Sequence, residues 1–315
     1  MVKRVLLAAP RGFCAGVERA IETVERALDL YGPPVYVRKQ IVHNVHVVRD
    51  LERRGAVFVE SEASVPEGAT LVLSAHGVSP AVRSAAVTRN LDTIDATCPL
   101  VTKVHAETRR YAAEGYTVVL IGHEGHEEVV GTHGEAPEAV RIVGTVTEAE
   151  SLAIADPQRV AYVTQTTLSV DETAEIVAVL RRRFPEIRAP RREDICYATT
   201  NRQAAVKELA AEVDLLLVIG SQNSSNSKRL VEAARAAGVE SHLIDDETEI
   251  DERWLVGRET VGVTAGASAP ERLVGRVCDW FRARGVTDIR PLGSLVEDVF
   301  FRLPVEIRRA ASTAA

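Results

Sequence analysis

The sequence predicts an α/β protein of three domain-sized units with largely parallel sheets. Two observations predict it. Apolar runs of strand length alternate with helical patterns, and most of those runs stop abruptly in a polar cluster. In addition, three of the four cysteines each stand just ahead of a helical pattern, at separations of 84 and then 98 residues that suggest one per domain-sized unit.

The first apolar run, Val5-Leu-Leu-Ala-Ala9, reads as a strand. Cys14 follows it and precedes a helix whose Val17, Ile21, Val24 and Leu28 share a face. Cys98 follows the run Thr93-Ile-Asp-Ala-Thr97, and Pro99 suits a first helical turn, with Leu100, Val104 and Tyr111 inward. Cys196 precedes the cap-rich run Tyr197-Ala-Thr-Thr-Asn201, which opens a helix with Val206, Leu209 and Val213 inward. The expected units are residues 1–95 with Cys14, 96–192 with Cys98 and 193–283 with Cys196, a structural repeat without obvious sequence likeness. Residues 284–315 are expected to form a C-terminal strand and a tail packing back on the core. Cys278 differs from the other three. It lies on the apolar side of a helical pattern with Val274 and Phe281 and reads as a core residue.

At 315 residues, 46% hydrophobic and 26% charged, the chain has the composition of an ordinary globular protein. Its net charge of −7 argues against a nucleic-acid or anionic-membrane partner, since both require a basic surface. No apolar run approaches the roughly 20 residues that span a bilayer. The N-terminus runs from a short apolar stretch straight into Pro10-Arg11-Gly12, so a strand fits better than a signal peptide. The expected location is the cytoplasm, where disulfides are not expected.

A cysteine at a helix N-terminus faces backbone N–H groups and the positive end of the dipole, which favour a thiolate. Three such residues converge most simply on one point between the units. Thiolate ligation fits zinc or an iron–sulfur cluster. Structural zinc usually takes a close C-x2-4-C pair, and none is present. Three dispersed thiolates can hold a four-iron cluster that leaves one iron open to substrate. The competing reading makes two or more of these cysteines inert.

The strand ends collect His, Ser, Thr and Asn, with few Lys or Arg. Examples are Ser74-Ala-His76, His123-Glu-Gly-His126, Thr164-Gln-Thr166-Thr167, Ser224-Ser225-Asn226 and Ala265-Gly-Ala-Ser268. In open parallel sheets ligands bind beyond the carboxyl ends of strands. Hydroxyls, amides, imidazoles and helix N-termini together suit a phosphate or diphosphate. Each Ser or Thr taken singly is more often a helix cap, and His43 taken alone reads as a core histidine. His123-Glu-Gly-His126 is one residue short of the zinc motif H-E-x-x-H and lies at a strand end rather than on a helix. No P-loop and no dinucleotide fingerprint is present.

On these residues the chain resembles the IspH/LytB family of 4-hydroxy-3-methylbut-2-enyl diphosphate reductases. The resemblance runs from about Val5 to Arg308. Its motifs are Arg11-Gly-Phe-Cys-Ala-Gly-Val17, Ile41-Val-His-Asn44, Ser74-Ala-His-Gly-Val78, Asp95-Ala-Thr-Cys-Pro-Leu-Val101 and Gly122-His-Glu-Gly-His126. They continue through Thr164-Gln-Thr-Thr-Leu-Ser169, Asp194-Ile-Cys-Tyr-Ala-Thr-Thr-Asn-Arg-Gln203, Gly220-Ser-Gln-Asn-Ser-Ser-Asn-Ser227 and Ala265-Gly-Ala-Ser268.

The resemblance implies a trefoil of three similar α/β domains around a central [4Fe–4S] cluster with three protein ligands, Cys14, Cys98 and Cys196, and one open iron. It implies two-electron reductive dehydroxylation of an allylic diphosphate to isopentenyl and dimethylallyl diphosphates, the last step of the non-mevalonate isoprenoid pathway. His43, His76, His126, Ser224, Ser225, Asn226 and Ser268 match the family's diphosphate pocket. Glu128 and Thr166 match its proton relay, with Thr167, Thr199 and Thr200 close by. Glu127 and Glu128 are adjacent, and family spacing after His126 selects Glu128 as the acid. His105 and His133 match no motif role. The missing flavin and nicotinamide motifs imply an external electron donor such as a ferredoxin or flavodoxin. Two other classes compete: an iron–sulfur sensor, which would need a partner-binding module, and a zinc hydrolase using His123, His126 and Glu128, which would be colourless.

Overall fold

The structure is a computed structural model that describes residues 2–314. Its strands are β1 (Arg4–Ala8), β2 (Val35–Arg38), β3 (Ala56–Val59), β4 (Thr70–Leu73), β5 (Asp92–Asp95) and β6 (Thr117–Ile121). They continue as β7 (Val140–Val143), β8 (Val160–Thr164), β9 (Leu215–Ile219), β10 (Glu240–Ile244), β11 (Thr260–Ala265) and β12 (Asp288–Leu292). Three sheets result, with orders β10-β9-β11-β1-β12, β3-β2-β4-β5 and β7-β6-β8. Every ladder among the described residues is parallel. Parallel strands are covered on both faces, so they read as continuous apolar runs: β8 and β9 are buried at every position.

The chain divides into two compact units. The first (Met1–Val17, His43–Val47, Tyr197–Phe300) contains the five-stranded sheet. Period-two alternation splits this sheet's side chains between two cores. Val5, Leu7, Leu215, Leu217 and Ile219 pack with Val274, Val277, Cys278 and Phe281 of the helix Glu271–Arg282. Leu6, Leu216 and Val218 pack on the opposite face with Val206, Leu209 and Leu230. Cys278 is therefore a core residue, as its helical spacing predicts.

The second unit (Glu18–Val42, Val48–Cys196, Phe301–Ala315) contains the other two sheets. The helix Pro99–Ala113 follows β5 of the four-stranded sheet and packs on β6 and β8 of the three-stranded one. Its buried positions include Val101, Val104 and Tyr111, while Leu100 is only half-buried. In the helix Ala15–Tyr31 the inward face is likewise turned from the expected one: Ala20, Val24, Ala27 and Leu28 are buried, and Val17 and Ile21 are half-buried.

The sheets do not follow the expected chain segments at the N-terminus. β1 opens residues 1–95 but pairs with β11 and β12, Val5 opposite both Val261 and Ile289. Its apolar side chains on both faces require neighbours on either side, and these come from the far end of the chain. β12 thus returns to the sheet edge, and the terminal helix Val305–Ala314 packs by β5 with Ile307 buried.

Candidate active site

The three cysteines at helix starts share one local design. Cys14 immediately precedes the helix Ala15–Tyr31, Cys98 is the N-cap of Pro99–Ala113, and Cys196 immediately precedes Tyr197–Ala210. Each cysteine amide donates to a carbonyl two residues beyond a strand end. Cys14 bonds Ala267 after β11 at 3.3 Å, Cys98 bonds Ala75 after β4 at 3.0 Å, and Cys196 bonds Thr166 after β8 at 3.0 Å. One cysteine is thereby tied to each of the three sheets. Cys196 differs in what precedes it: no strand leads into it, only irregular chain with a single bridge between Ala161 and Arg188. All three are half-buried, whereas Cys278 is buried. Burial pushes the Cys14 thiol up, against the amides of Val17 and Gly16 and the charge of Arg202. The helix start acts in the direction read from the sequence, but desolvation outweighs it. A soft donor set of three thiols, each with its backbone already fixed, fits an iron–sulfur cluster.

In the unit with two sheets, the ends of β4, β6 and β8 carry an acid, histidines and threonines. Glu128 is buried, and its carboxylate accepts from the Thr166 amide at 2.6 Å and the Thr166 hydroxyl at 3.0 Å. Burial nevertheless pushes Glu128 up to about 7. The neighbouring Glu127 points elsewhere, with Oε2 3.3 Å from Nδ1 of His76. The two glutamates open the short helix Glu127–His133, so adjacent positions face different ways. His126 caps that helix, its Nδ1 accepting the Glu128 amide at 3.2 Å. Burial, then the nearby His76 and His123, hold His126 down at about 3. It is therefore neutral, and with Nδ1 accepting, its proton lies on Nε2. The rings of His76 and His126 meet edge-on with centroids 5.9 Å apart.

Residues not singled out from the sequence complete this cluster. Gln165 is buried, accepts the His123 amide at 3.1 Å and donates to the Thr167 hydroxyl at 2.9 Å. Asp194 accepts from the Thr164 amide at 3.0 Å and from Lys103 Nζ at 2.7 Å, and burial pushes it up to about 6. Both stand inside the motifs, yet their partners His123, Thr164 and Lys103 lie far away in sequence. His105 is a structural residue: it is buried, its Nδ1 lies 2.7 Å from Glu135, and its ring packs under Gly77. His133 is half-buried in the last turn of its helix.

In the unit with the five-stranded sheet, Ser224 is the N-cap of the helix Ser225–Ala236 and accepts the Ser227 amide at 3.3 Å. Asn226 is buried, accepts the Ala267 amide at 2.8 Å and donates to Thr199 at 3.3 Å. Ser268 donates to the His43 carbonyl at 2.9 Å, and the His43 ring meets Asn223 at 3.3 Å. Asn226 and the neighbouring Ser268 thus meet at Ala267, and through them Thr199 and His43, while Ser224 and the half-buried Ser225 stand at the start of the same helix as Asn226. Thr200 is exposed, unlike its buried neighbour Thr199.

A family model described as LytB protein matches residues 5–282. The chain belongs to the LytB family. A relative from Acidothermus cellulolyticus, named 4-hydroxy-3-methylbut-2-enyl diphosphate reductase, is 61% identical over 98% of this chain and 91% of its own. The solved structure of the E-1-hydroxy-2-methyl-but-2-enyl-4-diphosphate reductase from Plasmodium falciparum is 39% identical, with a TM-score of 0.95 over 100% of this chain and 99% of that one. A second solved reductase, described as the terminal enzyme of the non-mevalonate pathway, is 33% identical with a TM-score of 0.64, covering 90% of this chain and 100% of that one. The LytB match bears out the family resemblance carried by the cysteine, histidine and threonine motifs. No described helix is long and apolar enough to cross a membrane.

Proposed function

We infer that the chain is a cytoplasmic reductase that converts 4-hydroxy-3-methylbut-2-enyl diphosphate to isopentenyl and dimethylallyl diphosphates. Two electrons and two protons enter, and the allylic hydroxyl leaves as water. Cys14, Cys98 and Cys196 hold a [4Fe–4S] cluster. When bound, the cluster supplies the electrons and a Lewis-acidic iron. The electrons come from an external donor of the ferredoxin or flavodoxin kind.

The observation that carries this reading is the Glu128–Thr166 couple. Hydroxide is a poor leaving group, so a positioned acid must deliver a proton as the C–O bond breaks. A carboxyl group raised to about 7 holds that proton near neutral pH. In its protonated form Glu128 donates to the Thr166 hydroxyl oxygen, which turns the threonine hydrogen towards the substrate. His43, His76, His126, Ser224, Ser225, Asn226 and Ser268 bind the diphosphate, with Thr167, Thr199 and Thr200 beside it. Neutral His126 contributes its Nε2 proton, and Glu127 orients His76.

The test is anaerobic turnover of the substrate with a viologen reductant, with both products identified by mass spectrometry. Iron-loaded protein that consumes no substrate would overturn the assignment.

A further inference from the structure

Each cysteine loop is gripped by a cation from a helix that follows another of the three cysteines. Arg19, five residues after Cys14, donates from Nη1 to the carbonyls of Ala96 and Thr97, both at 3.0 Å, and from Nη2 to Asp95 at 3.4 Å. Those are the three residues before Cys98. Lys103, five residues after Cys98, donates to the carbonyls of Arg192 and of Glu193, the latter at 3.0 Å, and to the Asp194 carboxylate at 2.7 Å. Those lie just ahead of Cys196. Arg202, six residues after Cys196, donates to the Gly12 carbonyl from Nη2 at 2.7 Å and from Nε at 3.1 Å, and to Phe13 at 3.2 Å. Those precede Cys14, so the sequence of grips closes on itself.

We propose that Arg19, Lys103 and Arg202 are positioning residues for the three cysteines, each fixing the backbone that aims one sulfur at the metal group. The proposal rests on the reading that these cysteines hold an iron–sulfur cluster. A buried cation is costly unless its donors are used, and Arg202, fully buried, uses Nε and both Nη groups on Gly12, Phe13, Ala198 and Glu297. Packing alone would be served by an apolar side chain. Each cation also adds positive charge beside a site that collects thiolates and an anionic cluster. Groups that orient metal ligands without touching the metal commonly control affinity.

The test uses the full chain, reconstituted anaerobically, with Arg19→Met, Lys103→Met and Arg202→Met. Arg183→Met is the control, because Arg183 grips the carbonyls of Ala149 and Leu152, away from any cysteine. Iron and sulfide content, the rate of iron release to a ferrous chelator and the midpoint potential are measured. Each of the three variants should release iron about 10–100-fold faster than wild type, with a lowered potential, while the control does neither. Lys103→Arg should restore the wild-type rate. Arg19→Lys and Arg202→Lys, which keep the charge but lose the forked grip, should fall between, and they decide the matter for any Met variant that does not fold. A wild-type release rate in one variant removes that residue, and in all three removes the proposal. Equal loss from Arg183→Met also overturns it. Wild-type protein that takes up no iron would instead remove the cluster reading itself.

Discussion

The backbone amide and the hydroxyl of Thr166 both end on the carboxylate of Glu128, at 2.6 and 3.0 Å. Two donors to one carboxylate would ordinarily hold it ionised, yet burial wins and lifts Glu128 to about 7. The couple is therefore fixed in geometry and balanced in charge, whereas Glu127 beside it faces His76.

Glu128→Gln should bind substrate nearly as wild type and lose about 10²–10⁴-fold in kcat, because Gln keeps the shape without a transferable proton. Glu127→Gln, which touches His76 rather than Thr166, should act mainly on KM. Steady-state kinetics of both variants with an artificial reductant separate the roles. A slow Glu127 variant beside a normal Glu128 variant would move the acid by one residue.

The same carboxyl group makes stability depend on pH. Its folded value, about 7, lies above the unfolded 4.5, so between those values the folded state holds the extra proton and loses stability as pH rises. Glu128→Gln mimics the protonated acid. It should match wild type below pH 4.5 and exceed it by about 3 kcal/mol at pH 8. Urea unfolding at a series of pH values measures the difference, and a constant gap would contradict the assignment.

Cys278→Ala should retain iron and activity and lower stability by about 1 kcal/mol, since its sulfur packs in an apolar core. Cys14→Ala, Cys98→Ala and Cys196→Ala should each yield colourless protein. Iron analysis after anaerobic purification decides both halves.

Ser225 and Asn226 should separate binding from architecture. Ser225→Ala should weaken the diphosphate product by about 1.5–3 kcal/mol in calorimetry while the visible spectrum stays unchanged. Asn226→Ala also strands the Ala267 amide, so it should lower the melting temperature as well as affinity.

Much of the fold was legible because parallel strands buried on both faces leave unbroken apolar runs, as in Leu215–Ile219. The helix starts at Cys14, Cys98 and Cys196 were legible from periodicity and, at Cys98, from Pro99 in the first turn. The place of β1 was not, because a strand carries no record of which distant neighbours complete its sheet. Leu100 and Val101 exchanged roles because the sheet beneath, rather than the spacing alone, sets the inward face. In the site, His126, Glu128 and Thr166 stood out by motif. Gln165, Asp194 and Lys103 did not, since an amide or a charge reveals its purpose only beside partners dozens of residues away.

The amides of Cys14, Cys98 and Cys196 are held by Ala267, Ala75 and Thr166, all of them protein carbonyls. On the proposed cluster reading, these bonds would hold the ligand loops in register without help from the metal group. Loss of such a cluster to oxygen would then cost inorganic sulfide and iron, but not the polypeptide. Recovery would become a matter of refilling the site, at the speed of metal delivery rather than of new synthesis.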